Sequence, residues 1–238
     1  NLDDYPFPDP DDPSRYAGYE EVLREKGDRF VVVSLGFSLF ERAWTLTGME
    51  NLLVAMVSNK PFVHDFLDMI LDFNLRIIER ACAFDVDAMR FGDDWGMQTG
   101  LLMGPRLWRE FIKPRIRQMY DLVKAKGKFV FIHSCGKVDE IFPDLIECGL
   151  DVFNPFQPEV MDVFDVKRRY GERLSFFGGI STQRTLPYET VDQVKAQVRR
   201  LLEVVGQKGG YIAAPAHAIP PDARPENIAA MIEVLQNQ

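Results

Sequence analysis

His133 and Cys135 stand two positions apart in the run "FVFIHSCG", in a chain with only three histidines and three cysteines. In an extended strand, residues i and i+2 face the same side, roughly 6–7 Å apart at Cα. An imidazole nitrogen and a thiolate sulfur placed so can meet on one ion. Zinc takes both ligand types, and a catalytic zinc site needs three protein ligands with one position left open. A bare H-x-C is a short motif, and it fits equally a core thiol beside a histidine bonded to backbone. The third ligand has to come from elsewhere. His217 ends the last apolar run, "YIAAPAH", and there it either joins the ion or contacts substrate. Cys82 and Cys148 lie at helix ends on the opposite side. About ten helical residues at 1.5 Å each carry Cys148 about 15 Å from the strand end, so both cysteines are expected as buried core thiols. His64 shares a helical stripe with Asp68, Asp72 and Arg76 and reads as a surface histidine.

Other groups able to do chemistry gather near the ends of apolar runs. Asp93 and Asp94 close "MRFGDD". Neighbours on a strand point opposite ways, so one of the two faces the site as a metal ligand, general base or electrostatic anchor, or else caps the turn that follows. Glu41 comes after "SLGFSLF" and either lines the site or starts a helix. Gln157 ends "DVFNPFQ". Gly178 and Gly179 in "FFGGIS" allow a ligand to approach the backbone closely, or form a tight turn.

The elements that carry these residues are short apolar runs alternating with longer helical patterns. The strand-like runs cover 29–36, 87–94, 128–136, 151–157, 174–181 and 209–217. They are continuous rather than alternating, as in parallel strands buried on both faces. Helices are expected from Asn59, over 104–127 with a kink at Pro114, after FIHSCG, over 189–206 and from Arg224 to the end. Strand and helix in turn imply parallel pairing with right-handed crossovers. An eight-stranded barrel needs eight such units and six are visible, so the first one or two strands are expected to lie upstream. An open doubly wound sheet is the alternative, but no G-x-G-x-x-G follows any strand. In a parallel barrel the chemistry sits where strands end and helices begin, which is where the polar residues above cluster.

The 238 residues fit a single domain of this kind. A net charge of −8 disfavours nucleic acid and anionic membranes as partners. Three scattered cysteines give no disulfide framework and point to a reducing, cytoplasmic setting. The Pro- and Asp-rich opening "LDDYPFPDPDDP" reads as a connection within a longer protein.

The sequence "RFGDDWG…GPRLWREFIKPRIRQMYDLVKAKGKFVFIHSCG", then "FGGIS", then "APAHAIPPDARPENI", resembles the uroporphyrinogen decarboxylase superfamily from about residue 30 to the end. The resemblance implies a (β/α)8 barrel of which this chain is the C-terminal three-quarters. It also implies one of two chemistries. One branch comprises metal-free decarboxylases of an acidic tetrapyrrole. The other comprises zinc methyltransferases that move a methyl group from a corrinoid protein to a thiol such as coenzyme M, with ligands from a His-x-Cys and a further Cys. His133 and Cys135 match that pair. The third position falls on His217, where the decarboxylases also carry histidine. A thiol at the strand end serves zinc and has no use in a decarboxylase, so the methyltransferase branch is favoured, with tetrapyrrole decarboxylation as the alternative. A barrel that binds a small ligand without catalysis is the third reading. Zinc, a corrinoid on a partner protein and a small-molecule substrate are the associates to expect, with room for a homo-oligomer.

Overall fold

The structure is a computed structural model and describes residues 5–238. In chain order it runs α1 (Tyr19–Arg24), β1 (Val32–Leu35), α2 (Phe40–Thr47), α3 (Met49–Ser58), α4 (Lys60–Ala81) and β2 (Ala88–Gly92). A small hairpin, β3 (Gly96–Met97) and β4 (Gly100–Leu101), leads to α5 (Gly104–Leu107), α6 (Lys113–Ala125) and β5 (Phe129–His133). Then come α7 (Phe142–Glu147), β6 (Val152–Phe156), α8 (Val163–Tyr170), β7 (Ser175–Ile180), α9 (Thr185–Tyr188), α10 (Val191–Arg200), β8 (Tyr211–Pro215) and α11 (Pro225–Gln236). Each of the six expected strands is present, a few residues shorter than its apolar run. The fold is α/β.

The chain forms two compact units, and the division falls inside β5, between Ile132 and His133. The first unit holds β1, β2 and most of β5, with α1 to α6 and the body of α7. β1 and β2 pair in parallel, from Val32 opposite Ala88 to Leu35 opposite Phe91. Its core is aromatic: Trp95 meets Trp108 edge-on at 5.4 Å, and Phe91 stacks on Tyr120 at 5.6 Å. The second unit holds the hairpin, the end of β5, and β6 to β8 with their helices. β7 pairs in parallel with both β6 and β8. Phe153 and Phe156 of β6 and Phe176 of β7 pack with Phe142, their contacting rings 4.4 to 6.1 Å apart.

The helix expected over 104–127 is one path in three pieces. α5 passes into a π-helical turn over Trp108–Ile112, and α6 then starts with Pro114 in its first turn. A proline has no N–H to give the preceding turn and its ring crowds the carbonyl four residues back, which accounts for the break. A second π-helical turn, Leu201–Val205, follows α10. α4 begins after Asn59 as its sequence predicts, although the Asn59 side chain makes no capping bond.

Candidate metal centre and a separate acidic cluster

His133, Cys135 and His217 converge. Their ligand atoms lie within 4.8 Å of one another, and they form the one group of three or more His, Cys, Asp or Glu with metal-binding spacing among the described residues. Cys135 Sγ is 3.4 Å from His133 Nε2, and the two imidazole rings are 5.5 Å apart. His133 and Cys135 are half-buried, whereas His217 is exposed. All three belong to the second unit.

Each ligand is placed by backbone. β5 delivers His133 at its last residue, and Ser134 N donates to Asn154 O at 2.8 Å, so pairing with β6 continues one step past the strand. β8 ends at Pro215. Ala216 N then donates to Ile180 O at 2.8 Å, which fixes the backbone just before His217. Cys135 sits on the loop between them in sequence terms, and two contacts hold that loop. Gly136 N donates to Gln157 Oε1 at 3.3 Å, and Lys137 N donates to Met97 O at 2.8 Å. Behind Cys135 the chain is packed backbone against backbone. A Cβ on Gly136, which has φ +88°, would lie 2.4 Å from the carbonyl carbon of Gly96, and a Cβ on Gly96 would lie 2.6 Å from Cys135 O.

The remaining sequence candidates have distinct surroundings. Gln157 is buried and braces the Cys135 loop. Gly178 and Gly179 lie within β7 rather than in a turn after it. A Cβ on Gly178 would sit 2.9 Å from Phe156 N, and one on Gly179 would sit 2.5 Å from the Tyr211 hydroxyl, which donates to Gly178 O at 2.9 Å. Packing inside the unit thus accounts for both glycines. Cys82 and Cys148 are buried, as expected, and burial pushes the Cys148 thiol up to about 11. His64 is half-exposed and lies against the Phe111 ring at 4.7 Å.

Glu41, Asp93 and Asp94 form a cluster of their own in the first unit. Asp93 is fully buried. Its Oδ1 accepts from Leu39 N at 3.2 Å and Glu41 N at 2.8 Å, and its Oδ2 accepts from Phe40 N at 3.1 Å and Trp95 Nε1 at 2.6 Å. A carboxylate beyond the sequence neighbourhood thereby takes three N–H groups at the start of α2, which Leu39 cannot cap with its own side chain. Burial pushes Asp93 up to about 6 against the pull of these donors. Glu41 lies in the first turn of α2, is buried, and is raised to about 7 by burial and then by the charges of Asp94 and Asp93. Asp94 is half-buried.

The bond that orients His133 leaves only a faint trace in the sequence. Asn154 Oδ1 accepts from His133 Nδ1 at 2.6 Å, and Asn154 Nδ2 donates to Phe177 O at 3.0 Å. The signal was an amide-bearing residue inside a strand whose other positions are apolar.

The fold is that of the TIM barrel type. It superposes on a methyltransferase from Methanosarcina mazei with a TM-score of 0.71 at 22% identity, over 91% of this chain and 62% of that one. The family model described as Uroporphyrinogen decarboxylase (URO-D) matches residues 6–238, and the chain belongs to that family. It is 30% identical over 132 residues to the methylcobamide:CoM methyltransferase MtaA of Methanosarcina barkeri, which covers 55% of this chain and 36% of that protein. It is 23% identical over 242 residues to the uroporphyrinogen decarboxylase of Methylococcus capsulatus, which covers 96% of this chain and 66% of that protein. The chain thus spans between about a third and two thirds of these relatives' length. No helix among the described residues is long and apolar enough to cross a membrane.

Proposed function

We propose that this chain holds a zinc ion on His133, Cys135 and His217 and takes part in moving a methyl group from a corrinoid, carried by a partner protein, to a small thiol. The observation that carries this reading is the convergence of the three side chains within 4.8 Å. The donor set fits the ion: two imidazole nitrogens and one sulfur, a combination zinc accepts at catalytic sites with three protein ligands. When bound, zinc lowers the pKa of a thiol brought to it, which supplies a nucleophile at neutral pH.

The chain's own residues do the holding. His133 is oriented through its Nδ1, Gln157 and the hairpin keep the Cys135 loop in place, and the exposure of His217 leaves the group reachable by an acceptor.

The competing reading is decarboxylation of an acidic tetrapyrrole, favoured by the long match to a uroporphyrinogen decarboxylase. A Cys135→Ser variant separates the two. Metal content is measured together with methyl transfer from methylcobalamin to a small thiol, while circular dichroism checks the fold. The methyltransferase reading requires both metal and transfer to fall together in a folded protein. Turnover of a tetrapyrrole that survives both the substitution and a chelator hands the assignment to the decarboxylase.

A further inference from the structure

We infer that Asn154 is a positioning residue that locks His133 in the tautomer a metal ligand needs; the inference rests on the metal reading proposed above. A backbone carbonyl can only accept a hydrogen bond, so the Asn154 atom 3.0 Å from Phe177 O has to be the nitrogen. That sets the amide oxygen toward His133, 2.6 Å from Nδ1. An amide oxygen is likewise only an acceptor, so Nδ1 carries the proton and donates. In a neutral imidazole the other nitrogen then holds its lone pair. That nitrogen, Nε2, is the one 3.4 Å from Cys135 Sγ.

One relay therefore runs from the carbonyl of Phe177 in β7, through the Asn154 amide in β6, to the ring of His133 at the end of β5. Asn154 is buried, so water cannot readily substitute for its oxygen. Ligating histidines commonly give their second N–H to such a partner, and losing the partner costs about 10- to 100-fold in metal affinity. The use of an amide rather than a carboxylate also adds no charge beside the ligands.

The test has two arms. In metal-free protein, the ¹⁵N shifts and long-range ¹⁵N–¹H couplings of the His133 ring report its tautomer. In titrations with Zn²⁺ or Co²⁺, equilibrium dialysis gives the affinity. Wild type is expected to show Nδ1–H. Asn154→Ala, which removes both bonds, is expected to shift the ring toward Nε2–H and to weaken metal binding about 10- to 100-fold. Asn154→Asp keeps an acceptor facing Nδ1, although its second oxygen loses the bond to Phe177 O, and is expected to keep the Nδ1–H tautomer; circular dichroism of both variants guards against one that folds poorly. An unchanged tautomer in Asn154→Ala overturns the inference, and so does a shifted tautomer with unaltered metal affinity. Wild-type protein that binds neither ion overturns the metal reading itself, whatever the ring reports.

Discussion

Asp93→Asn probes how the acidic cluster is held. The substitution keeps one oxygen and replaces the other with an NH₂. If the oxygen stays where Oδ1 is, Leu39 N and Glu41 N keep their acceptor, but Phe40 N and Trp95 Nε1 now face a donor. Two hydrogen bonds to a charged group are lost, about 3–6 kcal/mol. Against that, the neutral amide no longer has to be ionised in a fully buried place. The rise of the carboxyl from its ordinary 3.8 to about 6 corresponds to about 3 kcal/mol. The net loss at pH 7 is therefore about 0–3 kcal/mol. The pH dependence has a sign as well. A carboxyl whose folded pKa is raised stabilises the fold fully below pH 3.8 and loses that contribution as pH rises through about 6. The gap between wild type and variant should thus widen as pH falls from 7 toward 4. Urea unfolding at several pH values, followed by tryptophan fluorescence and far-UV circular dichroism, measures it. A gap that narrows on acidification would mean that the four donors outweigh burial, and the reasoning above fails.

Three further outcomes follow from the same geometry. Glu41, raised from 4.5 to about 7, makes wild type lose stability relative to Glu41→Gln as pH climbs through that interval, by about 1–2 kcal/mol after allowance for solvent screening; parallel urea curves at pH 5 and 8 check this. Gly136→Ala meets the carbonyl of Gly96 and holds an alanine at φ +88°, so it should cost about 2–4 kcal/mol and lower metal affinity as well, seen in melts and metal titration. In metal-free protein, iodoacetamide should alkylate half-buried Cys135 well before Cys82 and Cys148, whose thiols burial pushes upward; peptide mass spectrometry gives the order, and early modification of Cys148 would count against the packing described.

Much of the fold could be read from the chain because the strands are continuous apolar runs, a pattern that long-range packing reinforces. The convergent trio was legible for a related reason: His133, Cys135 and His217 interrupt or end such runs, and the chain has few other groups of their kind. The sequence was poorer where one residue type serves two ends. Gly178 and Gly179 suggested space for a ligand, but the room beside them is taken by Phe156 and Tyr211. Asp93 was a candidate for chemistry on its position alone. Its four donors come from residues 39–41 and from Trp95, and contacts across some fifty positions leave no local signature. α2 and α3 have no counterpart among the helices expected from the sequence, and only Gly48 divides them. Asn154 was visible as an amide within an apolar run, but which ring it would touch depends on contacts between segments some twenty positions apart.

The close approach of Gly96 and Gly136 has an evolutionary consequence. Gly96 does not need a left-handed backbone, unlike Gly136, so its lack of a side chain answers to space alone. The two positions are forty residues apart in the chain, but any side chain at either one pushes on the segment that carries Cys135. Across relatives they should therefore be kept or lost as a pair. The atoms that crowd them are mostly backbone and include no part of the thiol, so a change of side chain at 135 does not lift the restriction at either position. The pair is then a sequence marker for the turn after β5 rather than for the residue that the turn carries.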